Sequence, residues 1–99
     1  MLYALLKDRR RRLLHSLYER RRLLLRSLRE NRSLPSRLRS QAFRALALLP
    51  RDSSGTRRRN RCTLTGRSRA IVRRFGVSRL RFRLLAREGR LAGVKKASW

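Results

Sequence analysis

Four guanidinium groups fall within five residues at Arg57, Arg58, Arg59 and Arg61, with Asn60 among them and glycine and serine just before. A guanidinium offers a planar fork of N–H donors that matches a phosphate bidentately, so such a cluster reads as an anion grip and not as a solvated loop. The same residue type recurs downstream. Arg67, Arg69, Arg73 and Arg74 flank the apolar pair Ile71 and Val72, the pattern of a thin element with one face on protein and the other on an anion; ordinary surface charge is the plainer alternative. Arg79, Arg81 and Arg83 sit near the start of a predicted helix, where the positive end of the dipole disfavours cations unless an anion also docks there. Lys95 and Lys96 lead to Trp99, the single tryptophan, which suits either stacking on a nucleotide or docking on a neighbouring protein.

Other chemistries find little support. Cys62 is the single cysteine and His15 the single histidine, so neither a disulfide nor a thiolate-rich metal site can be assembled from this chain alone. Cys62 has no histidine or carboxylate pair nearby in sequence to activate it and reads as a small buried residue. Asp8, Glu19, Glu30, Asp52 and Glu88 are scattered singly, as salt-bridge partners would be, and do not form an acid and base pair. The sequence therefore predicts no enzyme, no cofactor and no small-molecule substrate.

Thirty Lys and Arg face five Asp and Glu in 99 residues, a formal charge of +25. A compact monomer carrying that charge repels itself unless a polyanion neutralises it. Of the thirty, 27 are Arg, which suits RNA because the guanidinium also stacks on exposed bases. A hydrophobic content of 40% argues against simple disorder, yet one third of the chain is charged, which leaves little surface for a core. The longest apolar run spans residues 45–49, far short of a membrane span.

The elements that must position these groups can be read from the apolar period. Residues 3–30 contain neither Gly nor Pro, and Leu6, Leu13, Leu17, Leu24 and Leu28 recur as one stripe of a long amphipathic helix, widened on one side by Leu14, Tyr18 and Leu25. Pro35 is suited to the first position of a second helix, lined by Leu38, Ala42, Leu46 and Leu49 and ended by Pro50. The two leucine stripes are expected to bury each other. Residues 50–61 lack any apolar period and are expected as extended linker. Stretches around 62–65 and 70–73, separated by Gly66, are expected to pair as a small hairpin. Ser78 is the expected N-cap of a third helix reaching Glu88, with Leu80, Leu84 and Leu85 inward and Gly89 as its stop. Phe75 reads as packing for that helix more than as a base-stacking platform. The fold class is thus mainly α: an extended chain with two N-terminal helices, an irregular basic linker, a small hairpin and a short C-terminal helix, with little independent core.

From Leu49 onward the strings LPRDSS, RNRC, TGR, FG, SR and KKASW follow in order. Their residues include Arg59-Asn60-Arg61-Cys62, Thr65-Gly66-Arg67, Phe75-Gly76, Ser78-Arg79 and Lys95 to Trp99, and together they resemble the fourteenth small-subunit ribosomal protein family over residues 49–99. The resemblance implies a structural constituent of the ribosome that binds the 3′ major domain of small-subunit ribosomal RNA in the head, beside other head proteins. One form of that family holds zinc through two Cys-x-x-Cys pairs. The matching positions here are Cys62, Thr65, Ser78 and Arg81, so the resemblance is to the zinc-free long form.

On this reading residues 1–49 form a basic helical arm and residues 50–99 the RNA-binding region. The Arg-rich and Leu-rich N-terminus also has the make-up of a mitochondrial transit peptide, but long zinc-free members begin with such a helical arm, so mature protein is expected there. The expected compartment is the mitochondrion, with a plastid or bacterial cytoplasm as alternatives. Two other functions remain open at this point: a membrane-surface peptide built on the first helix, and a nonspecific nucleic-acid-binding basic protein.

Overall fold

A computed structural model describes residues 1–99. In order, the elements are α1 (Leu2–Glu30), α2 (Ser36–Ala47), two single 3₁₀ turns (Arg51–Ser53 and Gly55–Arg57), β1 (Ile71–Val72), β2 (Val77–Ser78) and α3 (Arg79–Arg87). The fold is mainly α, with two N-terminal helices, a two-stranded hairpin and a short third helix. The chain forms two compact units, Leu2–Arg58 and Arg59–Trp99.

In the first unit, leucine and arginine, both good helix formers, carry α1 through eight turns without interruption. Asp8 accepts from Arg12 Nε at 2.8 Å across one turn, and His15 faces Glu19 at 3.9 Å with the same spacing. After the helix, Asn31 Oδ1 accepts from the Ser33 amide at 3.1 Å and from its hydroxyl at 2.6 Å, a local turn that redirects the chain. Pro35 is the N-cap of α2, one residue ahead of the predicted position, and its carbonyl accepts from the Arg39 amide at 3.3 Å. Arg39 Nε also donates to the Arg29 carbonyl at 3.3 Å, satisfying an acceptor in the last turn of α1.

The predicted leucine seam does not form. Leu6, Leu13, Leu17 and Leu24 are 56–74% exposed and Leu28 is 38% exposed. The sheltered face of α1 keeps only the Leu14, Tyr18 and Leu25 flank of the expected stripe and continues round the helix through Ala4, Asp8, Arg11, His15 and Arg22. On α2 the prediction fares better: Ala42 is buried and Leu46 and Leu49 are half-buried, although Leu38 is exposed.

The reason is polar. Residues 51–57, predicted as extended linker, wind into two 3₁₀ turns, and the first packs on α1. Ser53 is 1% exposed; its hydroxyl accepts from Arg22 Nη2 at 2.7 Å and donates to the Pro50 carbonyl at 2.5 Å. Asp52 lies 3.5 Å from Arg11 Nε and accepts from Arg57 Nη1 at 3.1 Å. Arg11 Nη1 also donates to the Arg57 carbonyl at 3.5 Å. Gly55 sits against the imidazole, where an added Cβ would meet His15 Nε2 at 3.2 Å. A leucine face offers no donors to a serine hydroxyl, a carboxylate and a carbonyl taken from water, whereas the arginine face does.

In the second unit the hairpin lies further along than predicted. β1 and β2 are antiparallel, with Ile71 opposite Ser78 and Val72 opposite Val77, around a turn at residues 73–76. Gly76 takes φ +66°, and the Phe75 and Gly76 amides both donate to the Val72 carbonyl, at 3.2 and 2.9 Å. The segment expected to pair with it instead curls on itself: the Cys62 amide donates to the Arg67 carbonyl and the Gly66 amide to the Cys62 carbonyl, each at 2.8 Å. Ser78 caps α3 as predicted, its hydroxyl accepting from the Arg81 amide at 3.4 Å. At the other end Arg90 N donates to Leu85 O at 3.0 Å and Gly89 N to Ala86 O at 3.1 Å, with Gly89 at φ +71°, a Schellman ending.

Leu80 and Leu84, expected inward on α3, are exposed; Phe82, Leu85 and Ala86 are the sheltered residues. The Phe82 ring meets Phe75 with centroids 5.3 Å apart at 48°, and this aromatic pair sets the rotation of the helix. Ala42, Cys62 and Val77 are the buried hydrophobic residues of the whole chain, so the core is thin.

Ser53→Ala removes the acceptor of Arg22 and the donor to Pro50. It is expected to cost about 1–3 kcal/mol, with hydrogen-exchange protection lost at residues 51–57 and retained in α2. Unchanged protection at 51–57 would contradict the polar anchor.

Candidate nucleic-acid interface

Cys62 opens the interface region. It is 3% exposed, enclosed by the 62–67 turn and the start of α3. Burial pushes its thiol up, but the Thr65 hydroxyl and the amides of Ser78, Thr65 and Leu64 aimed at the sulfur outweigh that and bring the pKa down from 9.0 to about 6. The Thr65 hydroxyl is sealed from solvent and has no well-formed hydrogen bond elsewhere. Cys62, Thr65 and Ser78 therefore share one small polar pocket, with the Arg81 amide on the Ser78 hydroxyl. This donor set does not fit zinc. One thiol, two hydroxyls and an arginine cannot form a closed tetrahedral site, and the Ser78 oxygen already serves as a helix cap.

Arg61 Nη1 donates to the Gly66 carbonyl at 2.9 Å, so one of its donors holds the turn shut. Arg57 is likewise tied to Asp52, which its hydrogen bond and the charge of Arg11 hold below the usual carboxylate range. The Arg57 guanidinium keeps further donors for another acceptor, since it carries five. Arg58 and Arg59 are exposed. Arg67 is half-buried and Arg69 is exposed.

Arg73 and Arg74 occupy the hairpin turn and are exposed, carried outward by a two-residue ladder that leaves no room for them within it. Arg79, Arg81 and Arg83 are exposed on the first turns of α3, which has no acid in its first turn. Further along, α3 and the tail enclose a groove of about 640 Å³. Phe82, Ala86 and Val94 give it apolar walls, and Arg83, Arg87, Lys95 and Lys96 ring it with charge. The structure thus brings Lys95 and Lys96 onto α3 beside Arg83, expected only at an anion near the helix start, and adds Arg87, which the sequence reading did not single out. The spacing of Arg83 and Arg87, one helical turn, was the available signal. Trp99 is fully exposed.

Charge in this unit cannot be settled internally. Residues 59–99 hold thirteen Lys and Arg and one acid, Glu88, which Arg90 already meets at 3.1 Å. No helix is long and apolar enough to cross a membrane.

The ribosomal protein S14p/S29e family matches residues 45–98, from the last turn of α2 through the hairpin, α3 and the tail. The chain belongs to that family. It is 43% identical over 95 residues to the small ribosomal subunit protein uS14m of Marchantia polymorpha, covering 96% of each chain. It is 46% identical over 94 residues to the uS14m of Vicia faba, covering 95% of this chain and 94% of that one. The uS14 of Chlorobium phaeovibrioides is 58% identical over 62 residues, 63% of this chain and 70% of its own. The mitochondrial relatives match α1 and α2 as well as the C-terminal half, and this chain is a mitochondrial member of the family.

A lowered pKa at Cys62 stabilises the folded thiolate. The contribution is absent below about pH 6, grows as pH rises, and is complete above the ordinary thiol value of 9.0. The ¹³Cβ shift of labelled Cys62 in the full chain should titrate near pH 6, and Thr65→Val should move the midpoint upward. A midpoint near 9.0 in the parent chain would refute the amide and hydroxyl cradle.

Proposed function

We propose that this protein is a structural, nonenzymatic constituent of the mitochondrial small ribosomal subunit that binds its ribosomal RNA, in the 3′ major domain of the head beside other head proteins, and supports assembly and translation. The observation that carries this reading is the ratio of thirteen cations to one carboxylate in residues 59–99, on a unit with hardly any core. Such a unit is stabilised by a polyanion and strained without one. Membership of a ribosomal protein family supports ribosomal RNA as that polyanion.

The geometry divides the work among three surfaces. Arg73 and Arg74 on the hairpin turn reach phosphates across a groove, as a short projecting loop can where a side chain from a flat surface cannot. At the head of α3, Arg79 and Arg81 meet a phosphate that also satisfies the helix dipole. The groove of Phe82, Ala86 and Val94 under Lys95 and Lys96 accepts part of a nucleotide while the cations hold its phosphate. Arg57, Arg58, Arg59, Arg61, Arg67 and Arg69 neutralise the backbone alongside, and Trp99 stacks on a base. These contacts read charge and shape, with no reacting atom to activate.

With about ten arginines on phosphates, log K against log salt should fall with a slope on the order of −7 to −9. Arg73→Gln with Arg74→Gln should shallow that slope by about 1 per arginine. Fluorescence anisotropy with a head-domain fragment of small-subunit ribosomal RNA measures both. A slope near zero, or equal affinity for duplex DNA, would rule the mechanism out.

A further inference from the structure

The outward side of α1 carries a pattern that the RNA-binding reading above leaves without a role. Residues 2–34 divide into three blocks of eleven, LYALLKDRRRR, LLHSLYERRRL and LLRSLRENRSL. Each has leucine at its first and fifth positions, an acid at the seventh and arginine at the ninth. Eleven residues make three turns of helix almost without drift, so the leucine pairs recur roughly every 16 Å along one line of the surface. Leu2 and Leu6, Leu13 and Leu17, Leu24 and Leu28 form those pairs, and all six are exposed.

The other repeated positions sort by side. Asp8 is buried on the inner face, Glu19 pairs with His15, and Glu30 pairs with Arg29. Arg9, Arg10, Arg20 and Arg21 are exposed and rim the leucine line. A molecule approaching this side meets leucine and arginine and no carboxylate of its own sign.

We propose that this face docks a helix of a neighbouring protein whose apolar residues recur on the same three-turn interval and whose flanks carry Asp or Glu. The proposal rests on the ribosomal reading above and adds to it a protein surface distinct from the RNA-facing unit. RNA is a poor occupant because its ribose and phosphate surface gives leucine methyls nothing apolar to join, and leucine is no stacking platform. A lipid surface is also a poor occupant. A helix lying in a membrane interface needs a broad continuous apolar face, whereas here Arg9 and Arg20 on one side and Arg10 and Arg21 on the other hem in the leucine pairs. A narrow seam with charged flanks is what a partner helix uses.

The test places a benzoylphenylalanine photocrosslinker at Leu17 in the full chain assembled into mitochondrial small subunits. Sedimentation with the subunit reports the ribosomal reading by itself. The expected result is a cross-link to a small-subunit protein, within a helix bearing spaced apolar residues and carboxylates. Arg10→Glu with Arg21→Glu should lower its yield about tenfold through like-charge repulsion, and reversing the partner's acids should restore it. Cross-linking to RNA alone, to lipid or to nothing in subunits that contain the chain overturns the docking face and leaves the ribosomal reading intact. So does an unchanged yield in the charge variant. A chain that does not sediment with the subunit overturns both.

Discussion

Asp52 and Ser53 decide which side of α1 faces inward. The first 3₁₀ turn brings a carboxylate and a hydroxyl onto that helix, and each must find donors once water is removed. Arg22 donates to the hydroxyl, while the carboxylate takes its hydrogen bond from Arg57 and the charge of Arg11 at 3.5 Å. The rotation of α1 follows, and with it the burial of Asp8 and half-burial of Tyr18 on one side and the exposure of the leucines on the other. A chain with so few apolar residues to bury is organised in this unit by where its polar groups can be satisfied.

The second unit meets the same shortage differently. Cys62 fills the space between the 62–67 turn and the start of α3, and the pocket around its sulfur is lined by amides and a hydroxyl. Ser78 faces this pocket and caps α3 at once, so hairpin, turn and helix share one residue. Phe75 against Phe82 then fixes the helix rotation and leaves its arginines outside. The order of these 41 residues rests on a few shared groups, each serving two elements.

Much of this was legible in the sequence. Missing Gly and Pro across residues 3–30, Pro35, Pro50, Ser78 and Gly89 placed the helix ends to within a few residues because each acts through local backbone geometry. The arginine and lysine strings carried the RNA-binding reading by charge alone. What failed in large part was the inference about which side of α1 and α3 faces inward, whereas on α2 Ala42, Leu46 and Leu49 are sheltered as expected. A leucine stripe is ordinarily the buried side, and the preference was reversed on α1 by two polar residues some thirty to forty positions away, a nonlocal effect no periodicity contains. The hairpin was misplaced because Ile71 and Val72 had two possible partners, and Gly76 with its positive φ, not Gly66, made the turn. Arg83 and Arg87 were missed as partners of Lys95 and Lys96 because only the path of the tail brings them together.

The thirteen-to-one charge ratio of residues 59–99 gives dissolved ions two opposed effects on this protein. In the free chain, screening relieves repulsion among cations roughly within a Debye length of one another, about 8–10 Å near physiological ionic strength, and so favours compaction. In the bound chain the same ions compete for the phosphates and favour release. The ionic strength that best keeps the protein folded alone is therefore higher than the one that best keeps it in place, and its conformation and its attachment respond to salt with opposite signs.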